Sequence, residues 1–252
     1  MKLTAYTIFI KTLIITAGII GIKYLFHYFH LEVIILGSLH SSAVSGVIFV
    51  IGFILSSTLS DYKEAERIPA EMASAIEDMN EDAIAIADNY PKFDLVGYQK
   101  QLQSVAKTLA GDLRNSKSNK AKTQLYKLGR LHAQMEKNGV PANFIVKLKQ
   151  QQAALVRHLF RVNYIQRITF IPSATILAWS ISILTIVLLA FTEVEPFFGG
   201  VVLTGVITFI LMYVMQLITV IRTPFHNAGK TRDDVSLFLL DRTIDHLNSS
   251  KR

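Results

Sequence analysis

The sequence predicts an all-α membrane protein: four transmembrane helices in two hairpins, with a large cytoplasmic helical domain between the hairpins. Three observations carry this. Apolar residues pile up between Leu3 and Leu59 and again between Phe170 and Ile221. The long segment between them is charged and amide-rich. The turns inside each apolar block hold carboxylates and no Lys or Arg. At 252 residues and 51% hydrophobic content the chain is only modestly apolar, so the uneven distribution is what points to membrane segments flanking a soluble insert.

The first span is expected over about Thr12 to Leu31, with Lys11 at one end and Lys23, Tyr24, His27, Tyr28 and His30 towards the other. No small-residue cleavage site follows it, so a span is expected rather than a signal peptide. A lysine at mid-bilayer costs roughly 2.5–3.5 kcal/mol on insertion scales, and Lys23 is expected to snorkel to the aromatic interface instead. The second span covers about Val33 to Leu59. The third starts near Pro172, whose missing N–H suits the first turn of a helix, and runs to about Thr192. The fourth covers Val201 to Ile221, after Gly199–Gly200. Each is near the ~20 residues that cross ~30 Å of hydrocarbon.

Loop charge sets the orientation. The outer turns, Leu31-Glu32 and Glu193 to Pro196, are acidic, whereas the middle segment carries fourteen Lys and Arg between Lys100 and Arg167. Positive-inside reasoning places that segment and both termini in the cytoplasm, and hence the protein as multi-pass in the cell's inner (plasma) membrane. Residues 1–60 thus form the first hairpin, with 33–60 its second helix, 61–167 the cytoplasmic helical domain, 168–222 the second hairpin and 223–252 a cytoplasmic C-terminal helix. Inside the middle segment, Glu71 to Asn89, Leu95 to Leu113, Gln124 to Lys137 and Ala142 towards Tyr164 read as helices. Asn138-Gly139-Val140-Pro141 is a helix stop, and Arg114 to Lys122 reads as a solvated basic linker.

There are no cysteines, which excludes thiol catalysis and cysteine-ligated metal. No nucleophile elbow, phosphate loop or metalloprotease helix is present, so no enzyme, cofactor or metal is expected. His27 and His30 read as interfacial aromatics rather than ligands, and His40 as a packed, neutral histidine. The net charge of +7 reads as a topology signal, with the lipid bilayer and no nucleic acid as the expected partner.

Within the second span, Gly37, Ser38, Ser41, Ser42, Ser45, Phe49, Gly52, Phe53, Ser56 and Ser60 cluster on one side of a helix, while Val47, Ile48, Val50, Ile51, Ile54 and Leu55 cover the rest. Two explanations stand side by side. Small residues let membrane helices approach and hydroxyls bond across them. Alternatively, several copies around an axis would line a pore with hydroxyls and narrow it with phenylalanine rings.

Three stretches together resemble the bestrophin family of pentameric ion channels: "FVIGFILSSTLSDYKEAERIP" (Phe49–Pro69), "YIQRITFIP" (Tyr164–Pro172) and "RTPFHNAGKTRDDVSLFLLDRTIDHL" (Arg222–Leu247). The first is similar to the family's pore helix, followed by an acidic, proline-containing stretch. The second is similar to its Ile-Pro start of the third span. The third resembles its Pro-Phe followed by an Asp-x-x-Leu and Asp-Arg-Thr-Ile helix. The resemblance implies a homopentamer with an axial pore for inorganic ions. Its neck would be Ser45, Phe49 and Phe53, and its wall Ser38, Ser41, Ser42, Gly52, Ser56 and Ser60. Ser45 departs from the family's bulky apolar residue, so the first ring would be wider and wetter.

By spacing back from Pro172, a second, cytoplasmic constriction would lie near Phe144, Ile145 or Leu148. Calcium-activated members carry a dense acidic run after the Pro-Phe. Here His226, Lys230 and Arg232 stand in that place and only Asp233 and Asp234 remain, too few for the six to eight oxygens calcium takes, so no calcium gating is expected. The lack of a long C-terminal tail matches a bacterial-type member. Anions such as chloride are the favoured permeant. Cation passage, and a non-conducting scaffold whose basic domain recruits a partner, are the alternatives.

Overall fold

The computed structural model of the chain describes residues 5–35, 37–115, 119–167, 172–225 and 234–249. Among these described residues eight helices follow one another: α1 (Ala5–Tyr28), α2 (Ser38–Asn89), α3 (Leu95–Arg114), α4 (Lys120–Lys137), α5 (Ala142–Arg167), α6 (Pro172–Ala190), α7 (Phe197–Ile221) and α8 (Phe238–Ser249). Two short strands, β1 (Ile34–Ile35) and β2 (Thr192–Glu193), pair in parallel, with Ile34 opposite Thr192. The architecture is all-α, and α1, α2, α6 and α7 are long and apolar enough to cross a bilayer.

Contacts divide the chain into two units. One holds α1, β1, the part of α2 up to Tyr62, α6, β2 and α7. In it, Ile51 and Ile54 of α2 share an apolar cluster with Ala178 and Ile186 of α6 and with Leu211, Met215 and Ile218 of α7. Helix α1 lies close to α7: a Cβ on Gly205 would stand 3.1 Å from Ile20 Cδ1, and Gln216 donates to Thr12 Oγ1 at 2.9 Å. Small residues and hydroxyl bonds of this kind are how apolar helices associate where lipid tails are as apolar as leucine.

The other unit holds α2 from Lys63, together with α3, α4, α5 and α8. Its core is broad, built on Met72, Ile76, Met79, Leu102, Leu109, Leu128 and Leu155. A polar chain runs from this core to its edge, with Tyr98 and His132 buried and Gln152 half-buried. Tyr98 Oη donates to His132 Nε2 at 3.1 Å, His132 Nδ1–H donates to Gln152 Oε1 at 3.1 Å, and Gln152 Nε2 donates to the Leu125 carbonyl at 2.7 Å. Every member has its partner, as buried polar groups require. Burial pushes the His132 pKa down to about 4 and, with the nearby Asp82 charge, raises that of the Tyr98 phenol. The buried Asp112 carboxylate accepts from Ala121 N–H at 2.9 Å and so caps the start of α4 from the end of α3.

Several expected boundaries move. The second apolar segment begins as a helix at Ser38, not Val33, because Ile34 and Ile35 are in β1. Pro69 does not end that helix: α2 continues for 52 residues with Pro69 inside it. A proline removes one intrahelical hydrogen bond. Here its flanks are held by buried Ala65, Ile68, Met72 and Ile76. Helix α4 starts at Lys120, which shortens the basic linker, and α7 starts at Phe197, four residues before the expected Val201.

Candidate functional site

Helix α2 has two different sides along its apolar half. Ile51, Ile54 and Thr58 are buried, and Thr58 Oγ1 bonds back to the Ile54 carbonyl at 2.8 Å, leaving a hydrocarbon surface toward α6 and α7. On the other side Ser38, Ser41, Ser42, Ser45, Phe49, Gly52, Phe53, Ser56 and Ser60 are all exposed. Phe49 and Phe53 are 75% and 69% exposed, and a Cβ on Gly52 would meet nothing within 4 Å. Among the described residues, the serine and phenylalanine stripe is therefore the exposed side of α2. Helical periodicity put these residues on one line, and the packing of α6 and α7 decides that this line is the open one. Ile48, on the apolar face expected to meet lipid or neighbouring helices, is 46% exposed.

The residues expected near a second narrowing divide. Ile145 and Leu148 are buried in the core of the second unit, where α5 turns them inward, so neither can face a conduit. Phe144 is half-buried against the same core. On that turn of α5 the exposed apolar side chain is Val146, at 52%.

At the other end of the apolar helices the turns are more organised than their sequence indicates. Lys23 does not snorkel. It is buried, 2.6 Å from Glu32 Oε1, and it donates to the carbonyls of Leu189, at 3.3 Å, and Thr192. The ammonium is thus held by one ion pair and two carbonyl acceptors. Glu32 Oε2 lies 2.7 Å from His27 Nδ1, and the His27 ring stacks on Phe197 at 3.8 Å. Burial pushes the Glu32 pKa up, but the hydrogen bonds and charges of Lys23 and His27 together hold it below the usual carboxylate range. Glu193 and Glu195 stand exposed beside this cluster, in a cleft shared with His27, Glu32 and Phe197. Periodicity could not reveal this cluster. The available signal was a lysine inside an apolar run with a carboxylate nine residues on.

His40 is half-buried and its Nδ1 accepts from Gly37 N–H at 3.3 Å; His30 is exposed. Of the residues considered for calcium, His226, Lys230, Arg232 and Asp233 lie outside the described residues, as do residues 168–171 of the stretch before Pro172. Among the described residues no group of three or more His, Asp or Glu side chains could hold a metal ion.

Helix count, length and polarity define the class: an all-α protein with membrane-span-grade helices in one unit and a polar-surfaced helical bundle in the other. Its fold is that of bacterial bestrophin homologues. Two crystal structures of single-residue variants of a bestrophin homologue from Klebsiella pneumoniae superimpose with a TM-score of 0.81, at 14% and 15% identity, each covering 96% of this chain and 98% of theirs. A further crystal structure, described as a membrane protein, matches at a TM-score of 0.80 and 15% identity over 97% of this chain and 98% of its own. At such identity the likeness is one of fold. No protein-family model and no curated protein matches the chain.

Proposed function

We propose that the chain is a bestrophin-like ion channel, several copies of which assemble around an axis lined by the exposed stripe of α2. Phe49 and Phe53 form an apolar neck there, with Ser45 opening it at one end, and Ser38, Ser41, Ser42, Gly52, Ser56 and Ser60 supply the hydroxyl-rich wall. A single observation carries this reading: the face of α2 that bears two largely exposed phenylalanines and a row of serines is left unpacked, while its opposite face is committed to α6 and α7. Repetition around a closed axis turns a one-sided stripe into a continuous wall, and rings of phenylalanine gate water and ions by dewetting. Five copies follow from the resemblance to bestrophins. Positive-inside reasoning places the second unit and both termini on the cytoplasmic side of the inner membrane. A cytoplasmic narrowing would draw on Phe144. Calcium gating is not part of the proposal.

The neck carries no charge, and the aromatic edges of Phe49 and Phe53 bear positive potential, which anions tolerate. Anions such as chloride are therefore the proposed permeant. A second reading, cation passage, is favoured by the exposed Glu193 and Glu195, which would concentrate cations at the outer turn. Currents across a bilayer containing the purified protein in asymmetric KCl separate the two by the sign of the reversal potential. An intact oligomer that passes no current would leave the non-conducting scaffold.

A further inference from the structure

The second unit segregates its charge. Between Lys63 and Asn89, α2 carries eight carboxylates against two basic residues, whereas α4 and α5 together carry ten Lys and Arg against one carboxylate, Glu136. Inside one chain only part of this is neutralised. Helix α2 pairs with α5 through Lys147–Asp82 at 2.6 Å and Arg161–Glu64 at 2.7 Å. The contacts then run around the bundle. Gln152 of α5 reaches Leu125 of α4, Gln101 of α3 reaches Gln124 of α4, Arg114 of α3 pairs with Asp241 of α8, and His246 of α8 returns to Glu77 of α2 at 2.8 Å. Helix α3 also bonds α2, through Gln99 and Asn80 at 2.9 Å, and α5, through the Leu113 carbonyl and Gln166 at 3.1 Å. The other four helices thus follow one another around it as α8, α2, α5, α4, and the α4/α5 edge and the α8/α2 edge lie on different flanks of the bundle.

Those two flanks have opposite shapes, and carboxylates of α2, beside Arg242 and His246 of α8, face the groove. On the α4/α5 edge a ridge stands out: Tyr126 and Phe160 are 63% and 57% exposed, and the Lys122 ammonium sits 5.9 and 5.6 Å from their ring centres. Arg157 is exposed beside Phe160. On the α8/α2 edge there is a groove of about 590 Å³. Small side chains, Ala73 and Ser74, line its α2 side along with Glu77 and Glu81, and Leu239 and Arg242 line its α8 side. A large exposed aromatic pair around a cation fits a groove of small residues flanked by carboxylates, since desolvated aromatic and cationic anchors are what fill the centres of interfaces.

We propose that the occupant of this groove is a second copy of the chain, whose Lys122–Tyr126–Phe160 ridge docks against Ser74, Glu77 and Glu81. Each copy carries both halves of the contact on different flanks, so the contact is head-to-tail and repeats until the ring closes. This rests on the axial-assembly reading above and names the surface that holds the second units together.

The chain contains no cysteine, so disulfide trapping in the full-length, detergent-solubilised protein has no background. The variants are Tyr126→Cys, Ser74→Cys and the pair combined, with bridging demanding Cβ atoms within about 4.5 Å. Expected is a ladder of covalent oligomers from the double variant and none from either single one. Adding Lys122→Glu should cut the yield about tenfold, and Glu81→Lys should restore it. An intact oligomer by native mass measurement whose double variant does not crosslink overturns this interface and leaves the axial pore standing. Crosslinked dimers from a single-cysteine variant mean a two-fold contact and also overturn it. A wild-type protein monomeric at every concentration overturns both.

Discussion

The ammonium of Lys23 lies 2.6 Å from a carboxylate oxygen of Glu32, and the same carboxylate reaches His27 with its other oxygen. A charge placed in an apolar helix is thus neutralised by the first residue types of the following turn, and the pair ties α1 to the carbonyls that end α6 and build β2. Removing one partner leaves the other charge buried and uncompensated, which costs about 3–5 kcal/mol, whereas replacing both by apolar or neutral groups of similar size is nearly neutral. Glu32→Ala should therefore lower the thermal midpoint of the detergent-solubilised protein far more than Lys23→Met combined with Glu32→Gln. Equal losses from the two variants would show that the pair does not act as a unit.

Phe49 and Ile54 sit five residues apart on α2, yet substitution should affect them in different ways. Ile54 is 5% exposed in the cluster with α6 and α7, so Ile54→Ala should cost about 2 kcal/mol or more of stability. Phe49→Ala with Phe53→Ala removes exposed rings, so each protomer should change by no more than about 0.5 kcal/mol. In single-channel recording the same double variant should raise open probability. Unchanged gating with an intact oligomer would remove these rings from the neck.

His132 makes the stability of the second unit depend on pH. Its imidazole is neutral in the folded protein, with the pKa pushed down to about 4 from an ordinary 6.5 by burial. Below pH 6.5 the unfolded chain takes up a proton that the folded one excludes, so stability is full above that value and declines as pH falls toward 4. By pH 5 the loss should be about 2 kcal/mol. Chemical unfolding of wild type against His132→Gln, followed from pH 7 to pH 5, checks this: the variant starts lower but should lack this slope.

Asp112 caps α4 across a connection whose centre, residues 116–118, lies outside the described residues. Asp112→Ala should cost about 1–2 kcal/mol, the usual range for losing a helix cap. Hydrogen exchange should locate the effect in the first turn of α4, and exchange that rises evenly through the unit instead would assign Asp112 a different role.

Gly129→Ala tests how tightly the polar chain is enclosed. A Cβ there would stand 3.0 Å from Gln152 Nε2, the amide that donates to Leu125 while its oxygen holds His132. The expected result is a loss of about 1–3 kcal/mol as the amide is pushed off its partners, and reduced protection of the α4–α5 contact. No change would mean that the amide re-seats without losing them.

The helices were legible wherever periodicity and composition are local properties. The apolar runs, the helical middle segment, the Asn138-Gly139 stop and the one-sided serine and phenylalanine line on α2 are all set by residues within a few turns of one another. Which side chains share a face and which segments suit hydrocarbon can therefore be read along the chain, because 3.6-residue periodicity and transfer free energy are local. Which face is left open and which charge is paired depends instead on segments far apart in the chain. Residues 166 to 169 positions away supply the carbonyls that hold Lys23. Helices α6 and α7 select the covered side of α2. The bundle core turns Ile145 and Leu148 inward, away from the role their spacing gave them. Packing of distant segments is a three-dimensional competition for the same surface, and no local pattern encodes its winner.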